Sequence, residues 1–197
     1  MLADPILLLV DFQRGFCDPA LNPVLESDLA IERMHEVRAR TSTILNRYRE
    51  ADHAPVFVRT HHSPGRTRRS TDPSSSDAPP LCLPGTEAAE FIDELDIQDD
   101  DFVVTKLGYD PFHETDLDAL LSTADGSHVL VCGVVTNICV TATAFGLKSR
   151  GYEVTVLEDC IAASSTESHE HGLHTLEAVA DAVHSSSEVG LISGCGE

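Results

Sequence analysis

Apolar residues in this chain form short consecutive runs, and the segments between the runs mix apolar and polar positions with the spacing of helices. Apolar residues on consecutive positions are typical of strands buried on both faces, as in a parallel sheet covered by helices. The runs that predict strands occupy residues 6–10, 55–58, 102–105, 129–135, 154–157 and 189–192. The segments that predict helices occupy residues 28–51, 115–122, 137–150 and 166–183.

Strands that alternate with helices along one chain favour an α/β fold. We therefore predict a doubly wound three-layer sandwich whose central layer is a six-stranded parallel sheet. A length of 197 residues fits one domain of this kind. Residues 61–84 interrupt the alternation, because they are rich in serine and proline and have no periodicity. They predict a long loop within a single domain that spans residues 1–197.

The charge composition is strongly acidic and limits the choice of partners. The chain carries 13 Lys and Arg residues against 33 Asp and Glu residues, a formal net charge of −20. Such a surface repels phosphate groups, so nucleic acid and anionic membranes are poor partners and a small-molecule substrate is expected. An acidic composition with so few lysines, Lys106 and Lys148, also indicates the protein of a salt-loving cell, where counterions screen the repulsion.

No segment resembles a targeting sequence or a membrane span. The apolar run at residues 6–10 is too short for a signal core, and no run approaches the ~20 apolar residues that cross a bilayer. The six cysteines lack the CxxC spacing of zinc fingers, and without a secretion signal they are expected to be free thiols. The sequence therefore predicts a cytoplasmic protein.

Chemically reactive residues follow three of the predicted strands. Asp11 comes directly after the first strand, Lys106 after the third and Cys139 shortly after the fourth. Because ligands of open parallel sheets bind beyond the carboxyl ends of the strands, we expect the three side chains to meet there. Each also has an ordinary interpretation: an incidental strand-end carboxylate, a lysine that extends its ammonium group to solvent, and a packed structural cysteine.

Together the three groups supply the parts of nucleophilic acyl transfer. Cys139 lies at the start of a predicted helix, where the helix dipole and free backbone N–H groups favour the thiolate. A lysine ammonium stabilises that thiolate further, and a carboxylate carries the proton. Backbone N–H groups of the same turn are suited to bind an oxyanion.

Four segments carry a family resemblance, and they appear in the family's order over almost the whole chain. They are residues 7–16 (LLLVDFQRGF), residues 106–117 with a lysine followed by FHETDL, residues 131–140 (VCGVVTNICV) and residues 157–165 (LEDCIAASS). On these motifs the chain resembles the isochorismatase-like cysteine hydrolases, which include nicotinamidases and N-carbamoyl amidases.

The resemblance implies a catalytic triad of Asp11, Lys106 and Cys139. It also implies a cis peptide bond between Val134 and Val135, and an oxyanion hole formed by the backbone N–H groups of Val135 and Cys139. Members of the family commonly assemble as homodimers or homotetramers, and we expect one of these here.

The sequence also offers candidates for substrate contact, and the resemblance bears on whether a metal takes part. Phe16, Tyr109 and Phe112 are expected either to form apolar walls of the pocket, with His62 beside them, or to pack in the core. In nicotinamidases an Asp-x-His metal cluster follows the second strand, whereas here Thr60 stands in the place of the carboxylate and only His62 matches a ligand. One matched ligand does not make a metal site, so we expect no cofactor and no divalent metal.

We therefore predict a cysteine hydrolase that cleaves a C–N bond, amide or ureido, of a small molecule through a thioester on Cys139. Two other activities within the family stay open as alternatives: the vinyl ether hydrolysis of isochorismatase, and nicotinamidase activity. An alternative of another class is a non-catalytic α/β module for binding or assembly.

Overall fold

The structure, a computed structural model, describes residues 5–25, 27–62, 81–124 and 126–189. Its strands are β1 (Ile6–Val10), β2 (Val56–Thr60), β3 (Phe102–Lys106), β4 (His128–Val134), β5 (Glu153–Ala162) and β6 (Ala182–His184). They form one six-stranded sheet in the order β3-β2-β1-β4-β5-β6, and every neighbouring pair is parallel. Because the sheet grows outward on both sides of β1, the predicted doubly wound α/β fold is confirmed.

Helices cover both faces of the sheet. The α-helices of the described residues are α1 (Arg14–Cys17), α2 (Asp28–Glu50), α3 (Leu117–Leu121), α4 (Thr141–Lys148) and α5 (Thr166–Val179). Leu7 and Leu9 of β1 pack in a core cluster with α2, whereas Leu8 and Val10 pack in a second cluster with α3, α4 and α5. Successive residues of a strand point to opposite faces, so the consecutive apolar run of β1 fills both core layers.

The helix α2 is amphipathic and has a defined start. The hydroxyl of Ser27 accepts a hydrogen bond from the N–H of Ala30 over 3.2 Å, which caps the first turn. Its buried positions then recur every three or four residues, at Ala30, Met34, Val37, Thr41, Ile44, Leu45 and Tyr48. This stripe is the one that packs against the sheet.

The sixth strand of the sheet is not one of the predicted apolar runs. It is β6, which lies in a segment predicted as the end of a helix, whereas the strand predicted at residues 189–192 falls, apart from Val189, outside the described residues. β6 pairs only with β5 at the edge of the sheet, and none of its residues is fully buried. A partly exposed edge strand needs no apolar run, so the pattern of hydrophobic residues did not reveal it.

The helix predicted over residues 137–150 consists of two parts. Thr136–Val140 is a π-helical segment, in which the N–H of Val140 donates to the carbonyl of Val135 over 3.3 Å, and α4 follows it directly. π-Helical turns are rare and often occur at functional sites. The spacing of apolar residues does not distinguish such a turn from an α-helix.

Of the predicted loop 61–84, only the two ends belong to the described residues, and residues 63–80 lie outside them. Among the helices that are described, none has the length and apolar character needed to cross a membrane.

Candidate active site

Three side chains meet at the carboxyl edge of the sheet: one follows β1, one ends β3, and one lies in the segment after β4. Nζ of Lys106 lies 2.7 Å from Oδ2 of Asp11 and 3.4 Å from Sγ of Cys139. Asp11 and Lys106 are fully buried, and Cys139 is 7% exposed. The three residues that the sequence analysis grouped as a triad are therefore joined through one ammonium group.

Asp11 has an unusual backbone conformation at the end of β1. Its φ is 56°, in the left-handed region that residues other than glycine rarely occupy. Its N–H donates to the carbonyl of Val58 over 2.8 Å, so the chain stays bonded to β2 as it leaves the sheet. Such conformations persist where the surrounding structure enforces them, and they are concentrated at functional sites.

The strands β1 and β4 approach each other closely beside the site. Gly133 has a φ of 153°, and a Cβ atom at this position would lie 2.5 Å from the carbonyl oxygen of Val10. Only a residue without a side chain fits there. The close approach brings the end of β4, and the segment that carries Cys139, next to Asp11.

Thr60, the last residue of β2, is a fourth member of the buried cluster. Its Oγ1 donates to Oδ1 of Asp11 over 3.0 Å and accepts from Nζ of Lys106 over 2.7 Å. The register of the sheet explains this position, since Thr60 pairs with Lys106 across β2 and β3. In the sequence, Thr60 stood out only as the replacement of a metal-binding carboxylate. Its place at the end of the predicted second strand was the available signal for a role beside Asp11.

Gln13 fixes the backbone around Thr60. Its Nε2 donates to the carbonyl oxygens of Thr60 and Ala89 over 2.9 and 2.8 Å, and its Oε1 accepts from the N–H of Thr60 over 2.7 Å. Gln13 is fully buried, and both ends of its amide have partners, as a buried amide requires. No pattern in the sequence indicated this role of Gln13.

Burial and the Asp11 carboxylate set the protonation states of the cluster. Burial acts to lower the pKa of Lys106, but the charges and hydrogen bonds of Asp11 and Cys139 together outweigh it, and the pKa is raised above its usual value. Burial first, and then the same carboxylate, also raises the pKa of the Cys139 thiol, against the opposing effect of Lys106. Burial and Asp11 thus favour the protonated thiol at rest, against the helix N-terminus and Lys106, which favour the thiolate. The resting thiolate at Cys139 stays a prediction.

Cys139 lies within the π-helical segment Thr136–Val140, which begins shortly after β4. The peptide bond between Val134 and Val135 is cis. The N–H of Val140 donates to the carbonyl of Val135, five residues earlier in the chain. The N–H of Cys139 lies one residue before this donor. The role of the N–H groups of Val135 and Cys139 as an oxyanion hole stays a prediction.

The four residues predicted to contact the substrate differ in their surroundings. Phe16 and His62 make an edge-to-face contact with their ring centroids 6.3 Å apart. Tyr109 is 62% exposed, whereas Phe112 is buried against α4, where a Cβ atom on Gly146 would lie 2.6 Å from its ring. Phe112 thus has the packing of a core residue. Contact of these four side chains with a substrate stays a prediction.

Within the described part of the chain, no group of three or more His, Cys, Asp or Glu side chains converges in the manner of a metal site. His62 points its Nδ1 at the carbonyl of Leu81, and Thr60 offers a hydroxyl in place of a carboxylate. The expectation that the protein works without a metal stays a prediction.

Similarity to known proteins extends over most of the chain. A family model described as the isochorismatase domain matches residues 5–188. The chain is 28% identical over 158 residues to a secreted isochorismatase effector of Verticillium dahliae, an alignment that covers 80% of this chain and 72% of that protein. It is 33% identical over 117 residues to a probable inactive nicotinamidase of Arabidopsis thaliana, with 57% of this chain and 59% of that protein covered.

A solved structure also resembles the chain along its whole length. The N-carbamoylsarcosine amidase of Thermoplasma acidophilum superposes with a TM-score of 0.70 at 25% identity, over 98% of this chain and 100% of the amidase. The region matched by the family model contains the six strands and the buried cluster at their carboxyl edge. The chain belongs to the isochorismatase family of hydrolases.

Proposed function

We propose that the protein is a cysteine hydrolase that cleaves a C–N bond, amide or ureido, of a small molecule through a thioester on Cys139. The observation that carries the proposal is the contact of one buried ammonium group, Nζ of Lys106, with both Asp11 and Cys139, at 2.7 and 3.4 Å. Reactive groups of different kinds that share a buried site and perturb each other's pKa values are typical of catalytic centres.

In the first half of the reaction, the thiol loses its proton as it attacks. Asp11 accepts the proton of Cys139 while the sulfur bonds to the carbonyl carbon of the substrate. Lys106, which contacts both groups, stabilises the charge that the sulfur gains before the bond is complete. The oxyanion of the tetrahedral intermediate binds to the backbone N–H groups of Val135 and Cys139, each typically worth about 3–4 kcal/mol.

In the second half, the intermediate collapses and the thioester is hydrolysed. The C–N bond breaks, and the proton held by Asp11 passes to the leaving nitrogen, which departs as ammonia or an amine. Water then attacks the thioester with Asp11 again as the base, and Cys139 recovers its proton as the acid is released. One amide and one water thus give one acid and one ammonia or amine.

The choice of a C–N bond rests on two supports. The relative named N-carbamoylsarcosine amidase aligns over nearly the whole chain. In acyl transfer, a buried thiol in contact with a lysine serves as the nucleophile. Vinyl ether hydrolysis of the isochorismatase type does not need this thiol. The proposal includes no metal, and a homodimer or homotetramer in the cytoplasm remains the expected setting.

A non-catalytic module is the second candidate, because the relative from Arabidopsis thaliana is described as a probable inactive nicotinamidase. This alternative predicts no turnover of any amide. It also predicts that iodoacetamide modifies Cys139 no faster than the other buried thiols.

The test is ammonia release from a panel of primary amides, ureido acids and nicotinamide. We expect release with at least one member of the panel, and its loss in Cys139→Ala. Cys160→Ala, which removes a buried thiol elsewhere in the sheet, is the matched control and should retain activity. Full activity in Cys139→Ala would exclude the proposed nucleophile, and no release by the wild type would favour the module.

A further inference from the structure

His169 on α5 makes a buried hydrogen bond to the segment that carries the nucleophile. The side chain is 4% exposed, and its Nδ1 lies 2.9 Å from Oγ1 of Thr136. Thr136 is the first residue of the π-helical segment and is fully buried, three positions before Cys139. The ring of His169 therefore reaches the segment at its start.

Gly172, one turn further along α5, brings the helix into backbone contact with the same segment. A Cβ atom at Gly172 would lie 2.7 Å from both N and Cα of Asn137 and 2.9 Å from the carbonyl carbon of Thr136. Residues three apart share one face of a helix, so His169 and Gly172 present a single surface to the segment. The close approach leaves the segment no room to move toward α5.

Two threonines of α4 hold the segment through its carbonyl groups. Oγ1 of Thr141 donates to the carbonyl of Thr136 over 2.8 Å, and Oγ1 of Thr143 donates to the carbonyl of Cys139 over 2.7 Å. The segment is thus fixed through its carbonyl groups by α4 and through the Thr136 hydroxyl by α5. Of the three side chains that bond to the segment from α4 and α5, two are threonines and the third is the imidazole of His169.

The ring of His169 is kept neutral. Burial first, and then the guanidinium group of Arg33 on α2, lower its pKa to about 4. Its Nε2 is buried and has no hydrogen-bond partner among the described residues, so Thr136 is the side-chain partner that orients the ring. A buried polar ring with one strong partner is conformationally restricted, and so is the partner.

We propose that His169 is a positioning residue, which together with Gly172 holds the Thr136–Val140 segment so that Cys139 faces Lys106 and the N–H groups beside it face the substrate. This inference rests on the proposed function, because it assigns His169 a part in the same site. His169 acts through Thr136 and does not touch the reacting atoms. A shift of the segment by about 1 Å is enough to lower a rate about 100-fold.

The experiment combines amide hydrogen exchange, followed by mass spectrometry, with steady-state kinetics on the full chain. The variants are His169→Leu, Thr136→Val and His169→Asn, in which the Asn amide can reach the position of Nδ1. His171→Leu on the exposed side of α5 is the matched control. The peptide that contains Ile138 and Val140 is followed, because both N–H groups donate to the carbonyl of Val135.

In His169→Leu and Thr136→Val we expect the amide hydrogens of Ile138 and Val140 to exchange at least about tenfold faster than in the wild type. Exchange in β1 and α2 should be unchanged. We expect kcat to fall about 10- to 100-fold with KM within about threefold, since geometry and not binding is altered. His169→Asn should return both values toward the wild type, and His171→Leu should leave them unchanged.

Unchanged exchange in the segment, or faster exchange over the whole domain, would overturn the positioning role. Faster local exchange with an unchanged kcat would overturn it as well, while leaving the hydrolase in place. Exchange needs no substrate, so if the wild type hydrolyses no amide, the proposed function fails and the exchange data alone decide whether His169 holds the segment.

Discussion

The hydroxyl of Thr60 lies 3.0 Å from Oδ1 of Asp11 and receives a hydrogen bond from Lys106 over 2.7 Å. A neutral side chain thus joins the two charged groups of the site. Each oxygen of the Asp11 carboxylate consequently has a different neighbour, Thr60 at Oδ1 and Lys106 at Oδ2. Oδ2 is thus the carboxylate oxygen beside Lys106, whose Nζ also contacts the sulfur of Cys139.

We predict that Thr60→Val lowers kcat about 10- to 100-fold and the free energy of unfolding by about 1–3 kcal/mol, because Asp11 and Lys106 each lose a buried partner. Valine keeps the shape of threonine, so packing is preserved. Thr60→Ser retains the hydroxyl and should recover most of both losses. Kinetics and urea denaturation would measure the two effects, and a valine variant with wild-type kcat would contradict this role.

The buried ion pair between Asp11 and Lys106 should show strong coupling. We predict that Asp11→Asn or Lys106→Met alone destabilises the fold by about 3–5 kcal/mol, because one charge is left buried without its partner. The double variant should lose less stability than the sum of the two single losses, since no lone charge remains. Urea unfolding of the wild type, the two single variants and the double variant gives the coupling free energy between Asp11 and Lys106.

The ion pair Lys148–Asp181 offers a matched control for this comparison of single and double variants. It has the same N–O distance of 2.7 Å, but its side chains are 33% and 40% exposed. Its coupling should be clearly smaller, because solvent screens exposed charges. Equal coupling in the two pairs would mean that the Asp11–Lys106 contact is not the low-dielectric pair that the mechanism requires.

We predict that Gly133→Ala destabilises the protein by several kcal/mol. Its Cβ would lie 2.5 Å from the carbonyl oxygen and 2.7 Å from Cβ of Val10, at a φ of 153°. Gly108→Ala is the control, because nothing lies within 4 Å of a Cβ there. Thermal unfolding followed by circular dichroism would compare them, and equal melting temperatures would show that β1 and β4 are not in such close contact.

The stability that depends on His169 should fall as the pH falls. The pKa of its ring is about 4 in the folded protein, against about 6.5 for a free histidine. Between these values the unfolded chain binds a proton that the folded chain does not, so the free energy of unfolding decreases from pH 6.5 toward pH 4, by up to about 3 kcal/mol.

His169→Asn lacks this titration, and all other ionisable groups are common to the two proteins. The difference in unfolding free energy between wild type and variant should therefore shift in favour of the variant as the pH is lowered through this range. Urea titrations at four pH values between 4.5 and 7.5 measure it. A difference that is constant with pH would show that His169 is not buried as a neutral ring.

Much of the fold could be predicted from the sequence, because five strands appear as apolar runs, and four of them, β1, β2, β4 and β5, are largely buried on both faces. β6 could not, since three partly exposed residues at a sheet edge leave no such pattern. The π-helical turn was also missed, because its apolar spacing is that of a helix.

The candidate site was predictable where the residue type itself is reactive. Asp11, Lys106 and Cys139 follow strand ends, and the topology then brings them together. Thr60 and His169 act through hydrogen bonds that depend on the register of β2 with β3 and on the packing of α5. The sequence shows at most that Thr60 ends a predicted strand, and it gives no signal for the contact of His169. Supporting residues of this kind need the three-dimensional structure.

The most direct measurement is the mass of the enzyme during turnover, with the best substrate of the amide panel, after rapid quenching in acid. The account predicts that a fraction of the protein gains the mass of the substrate's acyl group, and that fragmentation places it on Cys139. Cys139→Ala should carry no such adduct and lose activity by at least about 1000-fold. An acyl group on another residue, or undiminished turnover in Cys139→Ala, would contradict the account.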